Sequence, residues 1–190
     1  GRGPLGSDRE PGEQTVLVMA GSGGPVATAR AIRVPWVRNE RSAVVGLKTT
    51  SYAENVVAVA AAHAAGADEA YLANTRDELC EGTGSNIFVE RGGEVLTPPL
   101  TSGCLAGITR ALVLEWAAQD GLPVREAQDG ELPYAVLDEA VAGRASLLLA
   151  SSVRTVAPIV ALDGHPVAIG PLSGDLVEMY RRHAAADLDP

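Results

Sequence analysis

The chain has 190 residues, 46% of them hydrophobic and 21% charged, a globular composition that excludes a wholly disordered chain. Its 15 basic against 24 acidic residues leave a net charge of −9, which repels phosphate backbones and anionic lipid and argues against nucleic-acid or membrane-surface binding. No apolar run approaches the ~18 residues of a membrane span. Two cysteines, Cys80 and Cys104, are too few and too far apart for a disulfide scaffold or a zinc site, so no metal is expected. With no secretory signal at its start, the chain is expected in the reducing cytoplasm.

In chain order, residues 1–14 read as loop, and 3–7 (GPLGS) resemble a tag-cleavage scar. Residues 15–20 (TVLVMA) predict a strand, followed by the breaker at 21–25 (GSGGP). Residues 31–37 (AIRVPWV) predict another strand, at a sheet edge because Pro35 cannot donate to a ladder. Residues 51–65, rich in Ala and Val, predict a buried helix. Short strands follow at 69–73, 86–90 and 95–97, with turn chemistry at 81–85 (EGTGS) and at Gly92-Gly93. Next come a loop at 98–104 and a helix at 107–120, where Ile108, Leu112 and Trp116 recur at helical spacing. A strand at 124–127, a helix at 135–142 and a buried strand at 147–150 precede a polar loop at 151–157 closed by Pro158. A hairpin turning at Asp163-Gly164 and a helix near 175–185 end the chain. This alternation, without repeats, predicts an α/β or α+β domain.

The basic residues are 14 Arg and one Lys, Lys48. A composition rich in Ala, Gly, Arg and Pro accounts for missing lysines but not for the one that stays. Lys can lose its proton and attack a carbonyl, whereas Arg cannot. Lys48 lies in 46–55 (GLKTTSYAEN), just before the first predicted helix; a solvated loop lysine is the bland alternative. Segment 80–88 (CEGTGSNIF) sets Glu81 beside glycines, as a functional carboxylate or as an exposed turn residue. Segment 97–110 (TPPLTSGCLAGITR) runs through a loop into a helix whose first turn holds Thr109. This is an anion site by its free N–H groups or simply a helix start. Segment 151–158 (SSVRTVAP) follows a buried strand with a hydroxyl pair and Arg154, or is an ordinary hydroxyl-closed turn.

Together and in this order, the four segments resemble the class IV aminotransferases. These are the fold-type IV pyridoxal 5′-phosphate (PLP) enzymes, which include branched-chain and D-amino-acid aminotransferases and aminodeoxychorismate lyases. The resemblance runs from about Val34 to the last helix, and the 33 positions from Lys48 to Glu81 match the family's spacing. It implies that Lys48 forms the Schiff base with PLP and moves the substrate α-proton, and that Glu81 bonds the pyridine nitrogen. It further implies that Leu105 packs on the ring and that Gly107, Ile108, Thr109 and Ser152 hold the phosphate. Val153 and Arg154 fall in the loop that recognises the substrate carboxylate. Arg41 matches an arginine of the D-amino-acid branch. Tyr52 lies four positions after the lysine, one short of the ring-oxygen tyrosine of the branched-chain enzymes.

The fold implied is the large PLP-binding domain of the D-amino-acid aminotransferase-like fold, at residues 35–190. Residues 1–34 would be the remnant of a small N-terminal domain and its linker, so the chain is expected to be a fragment. The implied activity is amino transfer between an amino acid and a 2-oxo acid by a homodimer. The alternative is aminodeoxychorismate lyase, because 151–154 lacks the branched-chain pattern. A third reading is an inert assembly domain.

Overall fold

A computed structural model describes residues 16–186; the loop expected at 1–14 and Thr15 lie outside the described residues. The chain builds β1 (Ala29–Arg38), α1 (Ala53–Ala64), β2 (Glu69–Asn74), β3 (Leu79–Gly82), β4 (Asn86–Arg91) and β5 (Glu94–Thr97). Then follow α2 (Ile108–Asp120), β6 (Val124–Glu126), α3 (Val136–Val141), β7 (Ser146–Ser151), β8 (Thr155–Leu162), β9 (His165–Pro166) and α4 (Pro171–Ala186). The strands form one mixed sheet in the order β3-β2-β1-β8-β7-β4-β5-β6, with β9 on β8. The expected mixed α/β class is the observed one.

Strict alternation makes both faces of the sheet apolar. Along β7, Leu147 and Leu149 join Ile87, Val89, Ile159 and Leu137 on the face covered by α3. Leu148 and Ala150 join Phe88, Val113, Trp116 and Leu176 on the face covered by α2 and α4. A third cluster seats Ala58 and Ala62 of α1, four residues apart, on Val34, Ala70 and Leu72. Helix α1 is therefore buried along one stripe and not throughout as expected, since Val56 and Val57 face outward.

Several expectations change. Residues 16–20 are exposed and form no strand. β1 is central, between β2 and β8, because Pro35 sits where the register with β2 shifts, a position that asks nothing of its missing N–H. The domain division expected at 34/35 falls within this strand. Glu81 and Gly82 belong to β3, which the glycine-rich sequence disguised as a turn. The loop at 98–104 contains a 3₁₀ turn over Leu100–Ser102. The polar loop expected at 151–157 is a hairpin turn of 152–154, with β8 starting at Thr155. Pro158 is tolerated because β1 joins β8 only from Ile159 onward. Of the apolar residues of α2, Ile108 is exposed, and the buried stripe runs through Thr109, Val113 and Trp116.

One buried carboxylate locks α4 to the sheet. Glu90 of β4 accepts from the Leu172 N–H (3.2 Å), the Ser173 N–H (2.7 Å) and the Ser173 hydroxyl (2.7 Å), meeting the unpaired donors of the helix start. Glu90→Ala strands three donors, and we expect it to lower the unfolding free energy by about 1–3 kcal/mol. Urea denaturation followed by circular dichroism measures this; an unchanged midpoint would contradict the assigned role.

Candidate active site

Four stretches of chain meet at a cavity of about 650 Å³: the end of β1 with the loop into α1, the β3–β4 turn, the entry to α2, and the β7–β8 turn. Ligand sites commonly have this size. Lys48, Tyr52, Glu81, Leu105, Gly107, Ile108, Thr109 and Ser152 all line it. Segments far apart in the sequence thus contribute to one wall. Arg41, Val153 and Arg154 do not line it. Arg41 points outward with its Nε 3.6 Å from Glu40, Val153 is exposed on its turn, and Arg154 is paired with Glu69.

Glu81 is the buried acid of the site. Its Oε2 accepts from the Leu105 N–H at 2.9 Å, and its Oε1 lies 3.2 Å from Arg38 Nη2. Burial pushes its carboxyl above the ordinary value; the Leu105 N–H and Arg38 pull the other way without fully offsetting it. Leu105 is presented by the Pro98–Pro99 loop and by Asn86, whose Nδ2 donates to the Leu105 carbonyl at 2.8 Å. A Cβ at Gly107 would collide with Asn86 Oδ1, so a larger residue where this loop enters α2 would force Asn86 to move.

Arg38 stands at the carboxyl end of β1 and also donates to Asn55 Oδ1 at 3.1 Å. Asn55 Nδ2 in turn donates to the Thr83 carbonyl at 2.5 Å. Arg38 and Asn55 escaped the sequence reading. The signal was present: Asn55 is the polar member of the stripe 55, 58, 62 that α1 buries, and a polar residue on an apolar stripe needs a partner.

Lys48 lines the same cavity as this network. Its Nζ lies 3.3 Å from the Tyr52 hydroxyl and 5.6 Å from the centre of that ring. The third corner is the start of α2, where Gly107 occupies the N-cap and no side chain caps the helix. The first N–H groups of a helix have no partner within it, so they and the Thr109 and Ser152 hydroxyls offer donors to an anion. Amine, buried carboxylate and anion cradle fit the donor set a phosphorylated pyridine aldehyde needs.

The family profile "Amino-transferase class IV" matches residues 1–162. A Methanocaldococcus jannaschii protein named "Putative branched-chain-amino-acid aminotransferase" is 30% identical over 189 residues, 95% of this chain and 63% of that protein. A Legionella pneumophila structure described as "Putative 4-amino-4-deoxychorismate lyase" superposes with a TM-score of 0.75 at 25% identity, over 85% of this chain and 58% of that one. The branched-chain aminotransferase of the thermophilic archaeon Thermoproteus uzoniensis, solved with norvaline, gives 0.76 at 31% identity, over 89% and 55%. The chain spans between half and two thirds of the length of each. The fold is that of the fold-type IV enzymes, and the chain belongs to the class IV aminotransferase family.

Proposed function

We propose that this chain is the cofactor-binding part of a PLP-dependent class IV aminotransferase, which moves an amino group between an amino acid and a 2-oxo acid. The observation that carries this reading is the shared cavity. Lys48 and the buried Glu81 line it together with the uncapped start of α2 and Ser152. When bound, PLP supplies an aldehyde carbon and an electron-withdrawing ring that stabilises negative charge at the substrate α-carbon.

Each side chain then has a definite task. Lys48 would hold the aldehyde carbon through its amine and, once the substrate amine has displaced it, would serve as the base that takes and returns the substrate α-proton. Glu81 would hold the proton on the ring nitrogen, with Arg38 and the Leu105 N–H keeping its carboxylate in place. The Thr109 and Ser152 hydroxyls and the N–H groups of the α2 start bind the phosphate. Leu105 packs against the ring, and Tyr52 orients the Lys48 amine through its hydroxyl.

We place the PLP-binding domain from β1 onward and assign the upstream residues to the linker and small domain. Apolar residues left exposed on the described surface, among them Trp36, Val44, Leu47, Val56 and Ile108, support coverage by that domain and by a second copy in a homodimer. The two buried free thiols, Cys80 and Cys104, accord with a reducing cytoplasm. Among the described residues no helix is long and apolar enough to cross a membrane. The likeness to the Legionella structure favours aminodeoxychorismate lyase as a second reading, and assaying pyruvate release beside amino transfer from leucine and D-alanine separates the two.

Full-length protein given PLP is expected to develop a visible absorbance band. Lys48→Ala is expected to lose that band and at least about 10²–10⁴-fold of the activity. A band that survives the substitution contradicts the role of Lys48. Glu81 yields a second expectation, in the protein without PLP. A carboxyl raised on folding stabilises while protonated, and that contribution is lost as pH rises through its folded value. Relative to wild type, Glu81→Gln should gain thermal stability as pH rises above the ordinary carboxylate range, while binding PLP more weakly. A stability difference independent of pH would contradict this.

A further inference from the structure

We propose that Arg154 is a positioning residue for the cofactor wall and not the ligand of the substrate carboxylate. Together with Glu69 it forms a buried strut that holds the turn carrying Ser152 at a set distance from the turn that follows Glu81. The inference rests on the PLP reading above.

Glu69, at the start of β2, has a side chain only 1% exposed, and both of its carboxylate oxygens accept hydrogen bonds. The Oε1 atom accepts from the Ala70 N–H (3.0 Å), the Thr83 N–H (2.8 Å) and the Thr83 hydroxyl. The Oε2 atom accepts from the Ser85 hydroxyl (2.7 Å) and pairs with Arg154 Nη2. Burial raises this carboxyl, but Arg154, Thr83 and Ser85 outweigh it and leave it below its ordinary value, so it is held as an anion. The approach is close enough to dictate sequence: a Cβ on Gly82 would lie 2.8 Å from Glu69 Cδ and 2.7 Å from Ser85 Oγ.

The strut reaches both working ends of the site. Thr83 and Ser85, pinned by Glu69, line the cavity between Glu81 and Asn86. Asn86 holds the Leu105 carbonyl, and the Leu105 N–H holds Glu81. On the other side the Arg154 N–H donates to Ser151 Oγ at 3.1 Å, closing the turn that presents Ser152. The guanidinium itself stands behind the wall, outside the residues that line the cavity. A guanidinium neutralising a buried carboxylate cannot leave for a substrate without stranding that charge, a cost that is large in comparable buried pairs.

The test compares full-length wild type, Arg154→Met, Arg154→Lys and Glu69→Gln. It measures the PLP dissociation constant, and at saturating PLP the preference in kcat/KM for an amino acid over the same amine without its carboxylate. We expect Arg154→Met to weaken PLP about tenfold, the scale of one lost charged hydrogen bond. Arg154→Lys should recover part of that loss, and the carboxylate preference should stay unchanged. Unaltered PLP affinity in Arg154→Met, or a collapse of the carboxylate preference, overturns the inference alone. Should Arg154→Met fail to fold, Glu69→Gln decides. Weaker PLP with an intact carboxylate preference supports the strut, and wild-type PLP affinity overturns it. A wild-type protein that binds no PLP overturns the reading of the site, and this inference with it.

Discussion

An ionisable acid inside a protein is costly, because water no longer solvates its charge. Here that cost is offset only in part at Glu81, by one backbone N–H from the loop before α2 and one guanidinium from the end of β1. Those two partners belong to segments far apart in sequence, so satisfying one carboxylate fastens β1, β3, α1 and the α2 entry around a common centre. On the proposed reading, the burial that raises the Glu81 carboxyl would also prepare it: an acid short of counter-charge gains most from a positively charged ring nitrogen. On that reading, stability of the unliganded fold and affinity for the cofactor would pull in opposite directions at this residue.

The sheet makes such a meeting place available. β8 pairs with β1 only at Ala29–Ala31, whereas β2 follows β1 as far as Arg38. Residues at that end of β1 share the cavity with the β3–β4 turn and the end of β7. Three apolar clusters hold the sheet and helices rigid behind it, and this supports side chains placed on loops. The loop bearing Lys48 is the exception, since it and the surrounding apolar residues remain exposed.

Much of this was legible in the chain. Lone Lys48, Glu81 among glycines, the 107–109 helix entry and Ser152 after a buried strand are local patterns, and all of them line the same cavity. The hidden parts depend on partners distant in sequence. Arg38 reads as one arginine among 14 until Glu81 is seen beside it. Glu69 looks like an ordinary strand residue until Arg154, 85 positions later, arrives opposite. Arg154 cannot be sorted from the sequence, because a side chain suited to a substrate carboxylate is equally suited to an internal one such as Glu69. The same blindness hid β3 and the start of β8: glycine, proline and serine signal turns locally, but ladder partners override them.

The central claim is that one amine and one buried acid face the same ring from opposite ends. A crystal structure of the full-length protein reconstituted with PLP tests it most directly. The account predicts continuous density between Lys48 Nζ and the cofactor, with a Glu81 oxygen within hydrogen-bond distance of the ring nitrogen. Cofactor bound elsewhere, or bound here with Glu81 turned away from the ring, would contradict it.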